Sequence, residues 1–195
     1  DDPGLKKAFN QGLDIHIATA AKIFNVPVDQ VTKEQRLVGK TMNFATLYGQ
    51  GPHALSRQLG VDYETARQYI VEYFEQFPKV REWMQETLEF GYKNGYVETL
   101  WGRKRYIPEL QASNRMLKAA GERAAINHPV QGSAADMIKK AMVEIDNELS
   151  KGDGCQMILQ VHDELLFDCT PRSVRIVARM IKEKMEKALK LSVPV

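Results

Sequence analysis

Cysteine is scarce in this chain of 195 residues, and charge of one sign is not in excess. The two cysteines, Cys155 and Cys169, form no CxxC pair. That spacing argues against a disulfide framework and a zinc site, and it predicts reduced thiols in the core. Lys and Arg total 27 against 25 for Asp and Glu, so a net charge of +2 gives no overall footprint for nucleic acid. Any nucleic-acid surface must therefore be local.

Long hydrophobic runs are also absent. No segment approaches the roughly 20 apolar residues that a bilayer span needs, and the first residues resemble no secretory signal. Apolar residues make up 44% and charged residues 27%, the usual globular balance, which excludes a disordered tail, a collagen-like fibre and a coiled-coil rod. The composition predicts a soluble, intracellular protein with a real core.

Glycine and proline divide the chain into blocks with mostly helical spacing of apolar residues. The predicted helices cover 14–24, 32–48, 62–76, 78–92, 114–127, 133–149 and 172–189. Pro129 is expected to interrupt the helical structure and so to separate the helix at 114–127 from the helix at 133–149. Short β segments at 96–107, and apolar runs at 156–161 and 165–167 after a turn at 151–154, predict two hairpins. Together these elements predict an α+β fold.

The hairpin near residue 163 carries the first candidate site. Asp163 and Glu164 follow an apolar strand and reach a loop where a hard cation could approach their oxygens. Mg²⁺ is usually held by one or two carboxylates with waters and substrate phosphates. The pair is meaningful only if another carboxylate and a phosphate donor arrive from elsewhere, since an Asp-Glu pair at a hairpin turn is more often a solvated loop. His162, taken alone, is more often a loop or core histidine than a ligand.

A second candidate is the helix with Arg36, Lys40, Phe44 and Tyr48, in the pattern R-x-x-x-K-x-x-x-F-x-x-x-Y-G. A step of four residues turns about 40° past a full circle and rises about 6 Å, so one face presents two cations and then two aromatic rings. That order suits a nucleoside triphosphate lying along the helix. The alternative is an amphipathic core helix with two solvated basic residues.

The third candidate is the segment 127–136, N-H-P-V-Q-G-S-A-A-D, in which Asn127 and Gln131 could hydrogen-bond a base edge or a sugar. Basic residues that could contact phosphates occur nearby in sequence: Arg103, Lys104, Arg105, Arg115, Lys118 and Arg123. An ordinary helix junction beside a solvated basic face is the alternative.

Taken in order, R-x-x-x-K-x-x-x-F-x-x-x-Y-G, N-x-P-V-Q-G-x-A-A-D and Q-V-H-D-E resemble the family A DNA polymerases of the bacterial DNA polymerase I type. The joint match is specific. Supporting matches, including D-I-H at 14–16 and G-R-K-R-Y at 102–106, extend the resemblance over almost the whole chain.

The resemblance implies a role for each matching residue. His16, Arg36 and Lys40 would bind the triphosphate, and Lys40 would give a proton to pyrophosphate. Phe44 would stack near the sugar and base, and Tyr48 would lie at the template base. Asp163 and Glu164 would be the catalytic, Mg²⁺-binding carboxylates of a two-metal mechanism. The residues expected to contact DNA are Arg103, Arg105, Arg123, Asn127, Gln131 and His162.

The same resemblance implies a domain organisation. Residues 1–112 would form a mostly helical fingers subdomain with its nucleotide-binding helix at about 33–48. Residues 113–195 would form part of an antiparallel-sheet palm, with a carboxylate-tipped hairpin at 156–168 and a helix at 172–189. The family's second metal-binding aspartate lies in a D-Y-S-Q-I-E-like motif, which this chain lacks. One of two Mg²⁺ ions would need that outside carboxylate, so the fragment is expected to be inactive alone.

The expected partners are primer-template DNA and deoxynucleoside triphosphates. We expect a monomer within a longer polypeptide, in the cytoplasm with the nucleoid and not at a membrane. Two alternatives stay open: a non-catalytic nucleic-acid-binding module, and a fragment of a single-subunit RNA polymerase.

Overall fold

The computed structural model describes residues 2–149 and 154–193, which leaves most of the predicted turn at 151–154 outside the described residues. The chain forms two compact units, Asp1–Val130 and Gln131–Val195. In the described residues the α-helices are α1 (Pro3–Asn10), α2 (Ile15–Phe24), α3 (Lys33–Leu47), α4 (Pro52–Leu59), α5 (Tyr63–Gln76), α6 (Pro78–Asn94), α7 (Arg115–Glu148) and α8 (Val174–Lys187). The strands are β1 (Tyr96–Glu98), β2 (Lys104–Tyr106), β3 (Cys155–Val161) and β4 (Glu164–Cys169), and the predicted α+β class is confirmed.

Side-chain caps set the start of the two helices that matter most here. Asp14 caps α2, since its Oδ1 accepts hydrogen bonds from the amides of His16 and Ile17 at 2.9 and 3.1 Å. Thr32 and Gln35 form a reciprocal capping box at the start of α3. These caps fix the N-terminal turn of each helix and therefore the direction of its polar face.

The core of the first unit lies among α3, α4, α5 and α6. Its fully or nearly buried members are Met42, Ala45, Leu55, Ala66, Tyr73, Phe77 and Val80. A second cluster of Val97, Ile107, Leu110 and Ala125 joins β1 to α7. The aromatic rings of Tyr73 and Phe77 pack edge to face, with their centroids 5.1 Å apart.

Asp2 ties two helices of this core together although it is a carboxylate only 4% exposed. Its Oδ1 accepts hydrogen bonds from the amides of Gly4 and Leu5 at 2.8 and 3.1 Å. Its Oδ2 accepts one from the amide of Lys79 at the start of α6, at 3.2 Å. Three amide donors compensate for its burial, as a buried carboxylate requires.

Pro129 does not end a helix. Helix α7 continues from Arg115 to Glu148 with Pro129 inside it, so the predicted break at 128–129 is wrong. Proline removes only its own amide donor and crowds one preceding carbonyl. The turns on either side keep their hydrogen bonds, and these are sufficient to continue the helix.

The hairpin of β3 and β4 sits in the second unit and pairs Val161 with Glu164, which leaves His162 and Asp163 as a two-residue turn. Its register places Cys155 opposite Cys169, and the two sulfur atoms form a disulfide. The expectation of reduced thiols is therefore wrong. Sequence spacing alone does not reveal which residues of a hairpin face each other, whereas strand register does.

One face of the hairpin packs on helices of the same unit. Ala141 and Ile145 of α7 and Ala188 after α8 are buried, and side chains including Met157, Leu165 and Phe167 pack against them. Across the described part of the chain, no helix is both long and apolar enough to cross a bilayer.

Candidate functional site

The face of α3 predicted to bind a nucleotide is accessible in the structure. Lys40 is exposed, and Phe44 is 41% exposed although it belongs to a helix that packs on a core. The Phe44 and Tyr48 rings stack at 5.9 Å between centroids and 13° between planes. Lys40 Nζ lies 5.8 Å from the Phe44 centroid, a cation–π contact. The cation and the two rings therefore form one continuous strip.

His16 joins this strip from the neighbouring helix. Its ring centroid lies 5.7 Å from that of Phe44. Gly39 allows this approach, because a Cβ at that position would lie 2.2 Å from the backbone oxygen of His16. The structure thus brings His16 to the same surface as Lys40 and Phe44, although the sequence separates them by more than twenty residues.

Arg36 occupies the same region and is held by Asp14. Its Nε donates a 2.7 Å hydrogen bond to Asp14 Oδ2, and both side chains are partly exposed. Burial raises the pKa of the Asp14 carboxyl, but hydrogen bonds from Arg36 and from the amides of Ile17 and His16 leave it below its usual value. Arg36 therefore faces a carboxylate that stays ionised.

The His16 ring is half-buried, and charged side chains surround it. Burial lowers its pKa, Asp14 raises it, and the cations Arg36 and Lys40 lower it again, so the net shift is downward. The imidazole is therefore neutral near pH 7. A neutral imidazole has one donor and one acceptor nitrogen, and its neighbours decide which is which.

Two buried polar residues behind this strip were missed by the sequence reasoning. Thr19 and Asn43 are each 6% exposed and hydrogen-bond to each other at 2.8 Å, from the Thr19 hydroxyl to Asn43 Oδ1. Asn43 Nδ2 lies 2.9 Å from His16 Nδ1. The sequence feature that could have indicated this role is Asn43 itself, a single asparagine next to Met42 on the apolar side of α3.

A cavity of about 220 Å³ lies on the other side of the strip. It is lined by residues that include Leu37, Lys40, Phe44, Tyr48, Gln50 and Gln58. The Oε1 atom of Gln50 is buried there with no hydrogen-bond partner among the described residues.

Arg123 of α7 lies at the end of α3. Gly49 follows Tyr48 with a φ of +71°, and a Cβ there would lie 3.3 Å from Ile126 Cδ1 and 3.8 Å from Arg123 Cγ. Glycine is thus needed at this turn because the backbone has a positive φ and because α7 packs closely against it. The predicted DNA-contacting Arg123 is in this way brought beside Tyr48.

Asn127, one helical turn after Arg123, is half-buried, and its Oδ1 has no hydrogen-bond partner among residues 2–149 and 154–193. Gln131 is exposed and belongs to the second unit. Both side chains therefore keep hydrogen-bonding capacity for a ligand, or in the case of Gln131 for water.

The basic tip between β1 and β2 is exposed. Arg103 and Arg105 are both exposed, and Arg105 pairs with Val97 across the strands. Lys104 lies on the opposite face, with its Nζ 4.4 Å from the Tyr96 ring centroid and 3.9 Å from Glu98. The register thus separates Lys104 from Arg105, since neighbouring residues in a strand point to opposite faces.

The predicted metal-binding carboxylates, Asp163 and Glu164, lie at the turn end of the β3–β4 hairpin. His162 has a φ of +53°, a conformation that non-glycine residues adopt rarely and often at functional sites. Gln160 Nε2 donates a 2.8 Å hydrogen bond to the His162 carbonyl, a supporting contact that sequence reasoning missed. His162, Asp163 and Glu164 are all exposed, so the turn presents a polar tip.

A mostly apolar cavity of about 600 Å³ adjoins this tip. Its lining includes Ala134, Ile138, Ala141, Gln160, His162 and Asp163. Within the described ranges, no group of three or more His, Cys, Asp or Glu side chains could hold a metal ion. Asp163 and Glu164 have the oxygen donors that Mg²⁺ prefers, but two carboxylates are only part of a two-metal site.

Comparison with protein families gives a match over the whole chain. The family model for "DNA polymerase family A" matches residues 1–195. The thermostable DNA polymerase I of Thermus caldophilus is 48% identical over 193 residues, which cover 99% of this chain and 23% of the relative. DNA polymerase I of Deinococcus radiodurans is 45% identical over 194 residues, or 100% of this chain and 20% of the relative. The chain therefore spans less than a quarter of the length of these relatives.

A solved structure is similar in fold as well. The POL domain of Pol1 from M. smegmatis, in complex with DNA primer-template and dNTP, has a TM-score of 0.93 and 41% sequence identity. The match covers 99% of this chain and 34% of that chain.

Proposed function

The chain belongs to DNA polymerase family A, and we propose that the longer protein containing it is a DNA-directed DNA polymerase. It would add deoxynucleoside triphosphates to a primer 3′ end and release pyrophosphate. The observation that carries this proposal is the strip along α3, where cations precede stacked aromatic rings and His16 lies alongside.

The strip is chemically suited to a nucleotide. Arg36 and Lys40, about 6 Å apart along the axis, match the spacing of a triphosphate chain. The guanidinium and ammonium groups bind phosphate oxygens by charge-assisted hydrogen bonds. Phe44 offers its exposed ring to the sugar and base, and Tyr48 lies one turn further, at the template base.

Several side chains would take part in catalysis. Lys40 is the proposed proton donor to the leaving pyrophosphate. Asp163 and Glu164 would hold Mg²⁺, whose chemistry when bound is to activate the primer 3′-hydroxyl and to stabilise the leaving group. A further carboxylate from elsewhere in the longer protein would complete the site, so residues 1–195 alone should not extend a primer.

The remaining predicted residues would contact primer-template DNA. Arg103, Arg105 and Arg123 would bind phosphates, which positions a duplex without reading its sequence. Asn127, Gln131 and His162 would contact the duplex near the primer terminus. We assign residues 1–112 to fingers and 113–195 to palm, within a monomeric protein that acts on DNA in the cytoplasm.

Primer extension by the full-length protein tests the proposal. Asp163→Asn should reduce nucleotide incorporation at least about a hundredfold, because neutralising a metal-binding carboxylate removes charge stabilisation of the transition state. Asp168→Asn is the matched control, an exposed carboxylate of the same hairpin, and should retain activity.

Other outcomes distinguish the alternatives. Salt-dependent binding of primer-template with no incorporation would indicate a non-catalytic binding module. Preference for ribonucleotides over deoxynucleotides would indicate an RNA polymerase. Equal activity of Asp163→Asn and Asp168→Asn would contradict the assigned metal site.

A further inference from the structure

A short chain of buried hydrogen bonds runs from α2 through α3 to the His16 ring. Thr19 Oγ1 lies 2.8 Å from Asn43 Oδ1 and also 2.8 Å from the Ile15 carbonyl oxygen. Asn43 Nδ2 lies 3.3 Å from the same carbonyl oxygen and 2.9 Å from His16 Nδ1. All of these groups are on helices of the first unit, and Thr19 and Asn43 are nearly inaccessible.

The Ile15 carbonyl indicates which end of the Asn43 amide faces it. The Ile15 carbonyl can only accept, so the group of Asn43 that faces it must be the amide nitrogen. With the amide reversed, two oxygens would face each other at 3.3 Å without a proton between them. Asn43 Oδ1 then faces the Thr19 hydroxyl, whose single proton is shared between this oxygen and the Ile15 carbonyl. The second Nδ2 hydrogen faces His16.

The orientation of the Asn43 amide determines which ring nitrogen of His16 is protonated. With the Asn43 amide in this orientation, His16 Nδ1 accepts the hydrogen bond from Asn43 Nδ2, and in the neutral ring the proton is then on Nε2. Nε2 is on the edge of the ring opposite the buried amide. The charged groups around the ring are Asp14 on its own helix and Arg36 and Lys40 on α3.

We propose that Thr19 and Asn43 are positioning residues, which fix His16 as a neutral, outward-facing Nε2–H donor to a phosphate oxygen of the incoming deoxynucleoside triphosphate. This inference rests on the proposed function. It explains why a threonine and an asparagine are buried between α2 and α3, where apolar residues would pack without needing partners. The hydrogen bond from Asn43 orients the ring, and the ring then supplies a directed donor beside Arg36 and Lys40.

The experiment measures the Kd of dATP with Mg²⁺ for the full-length protein bound to a dideoxy-terminated primer-template. Asn43→Leu removes the donor to Nδ1 at similar volume and should weaken dATP binding about tenfold, the usual size for a hydrogen bond to a charged group. Thr19→Val should weaken it less, and Thr19→Ser should restore it. Thr46→Val is the matched control, since Thr46 is 2% exposed on the same helix as Asn43 and its hydroxyl hydrogen-bonds to Met42 Sδ.

Testing Asn43→Leu in a His16→Gln variant distinguishes a positioning role of Asn43 from a general contribution to stability. In His16→Gln the side-chain amide supplies a donor near the Nε2 position without needing Asn43. There, Asn43→Leu should cause no further loss of dATP affinity. Equal losses in the His16 and His16→Gln backgrounds would overturn the inference, because the role of Asn43 would then be structural.

Spectroscopy reports the tautomer independently of activity. In ¹⁵N-histidine-labelled protein, the signal lost in His16→Gln should show a protonated Nε2 and an unprotonated Nδ1, and Asn43→Leu should change that pattern. A protonated Nδ1 would overturn the inference. Failure of the proposed function looks different: no nucleotide incorporation or dATP binding by the unaltered protein, whatever the tautomer.

Discussion

Arg36 Nε lies 2.7 Å from Asp14 Oδ2, so the first turn of α3 is tied to the N-cap of α2. The same aspartate caps α2 through its other oxygen. One carboxylate thus sets the start of the helix that carries His16 and holds the first cation of the nucleotide strip. This side chain therefore contributes to the relative placement of His16 and Arg36.

Two substitutions at Asp14 separate its cap from its charge. Asp14→Asn keeps a capping oxygen, whereas Asp14→Ala loses it and should destabilise α2 by about 1 kcal/mol. Amide hydrogen exchange at residues 16–18 of the full-length protein should therefore accelerate about fivefold more in the alanine variant. Equal exchange in both variants would contradict the capping role.

The charge of Asp14 also has a pH signature. Its pKa is lowered in the folded protein, so it stabilises the fold above its unfolded pKa, near the usual 3.8, and this stability is lost as the pH falls through the lower folded value. Asp14→Asn should remove that part of the acid sensitivity. Urea unfolding at pH 3 and pH 6 measures the difference.

Gly39→Ala tests the close packing of α2 on α3. A Cβ 2.2 Å from the His16 backbone oxygen must push the helices apart, so we expect faster amide exchange in α2 and at least a tenfold weaker dATP Kd. Gly51→Ala is the control with the same chemical change, because nothing lies within 4 Å of a Cβ there. A loss of affinity in both variants alike would point away from helix packing.

Lys40 is expected to act on rate as well as on binding. Lys40→Ala should lower the incorporation rate at saturating nucleotide by about a hundredfold, the usual size for loss of a general acid. Lys40→Arg keeps the positive charge but not a readily transferable proton, so it should bind nucleotide and still incorporate slowly. Lys33→Ala, at the exposed first turn of α3, should change neither rate nor Kd in rapid-quench measurements.

Because Tyr73 is buried, we expect the free energy of unfolding to fall at alkaline pH. Burial raises its pKa to about 12, with a smaller contribution from the Asp2 carboxylate. Between pH 10 and this value the unfolded chain gives up the phenol proton first, so the free energy of unfolding falls as the pH rises. Tyr73→Phe should reduce this fall between pH 9 and 11 in urea titrations.

Part of the alkaline fall should remain in Tyr73→Phe. Burial and a hydrogen bond to Glu122 also raise the pKa of Tyr92 to about 12. The double variant with Tyr92→Phe should therefore be flatter than either single variant. An unchanged slope in all three would contradict the assignment.

Local signals predicted most helices. Capping residues at Asp14, Thr32 and Asp62 mark the starts of α2, α3 and α5. Helices α1 and α4 were missed because each has only 8 residues, too few for a clear apolar period. The continuity of α7 through Pro129 was missed because a helix of 34 residues can accommodate one lost hydrogen bond.

The sequence by itself determined the family motifs, the order of cations and rings along α3, and the carboxylates after β3, because these depend on periods of a few residues. Only the tertiary structure decided that His16 faces Phe44, that Asn43 and Thr19 lie behind it, and that Cys155 opposes Cys169. Such pairs depend on helix packing and strand register. His16 and Asn43 are more than twenty residues apart in sequence, and they form a hydrogen bond because Gly39 lets the backbones of α2 and α3 approach each other.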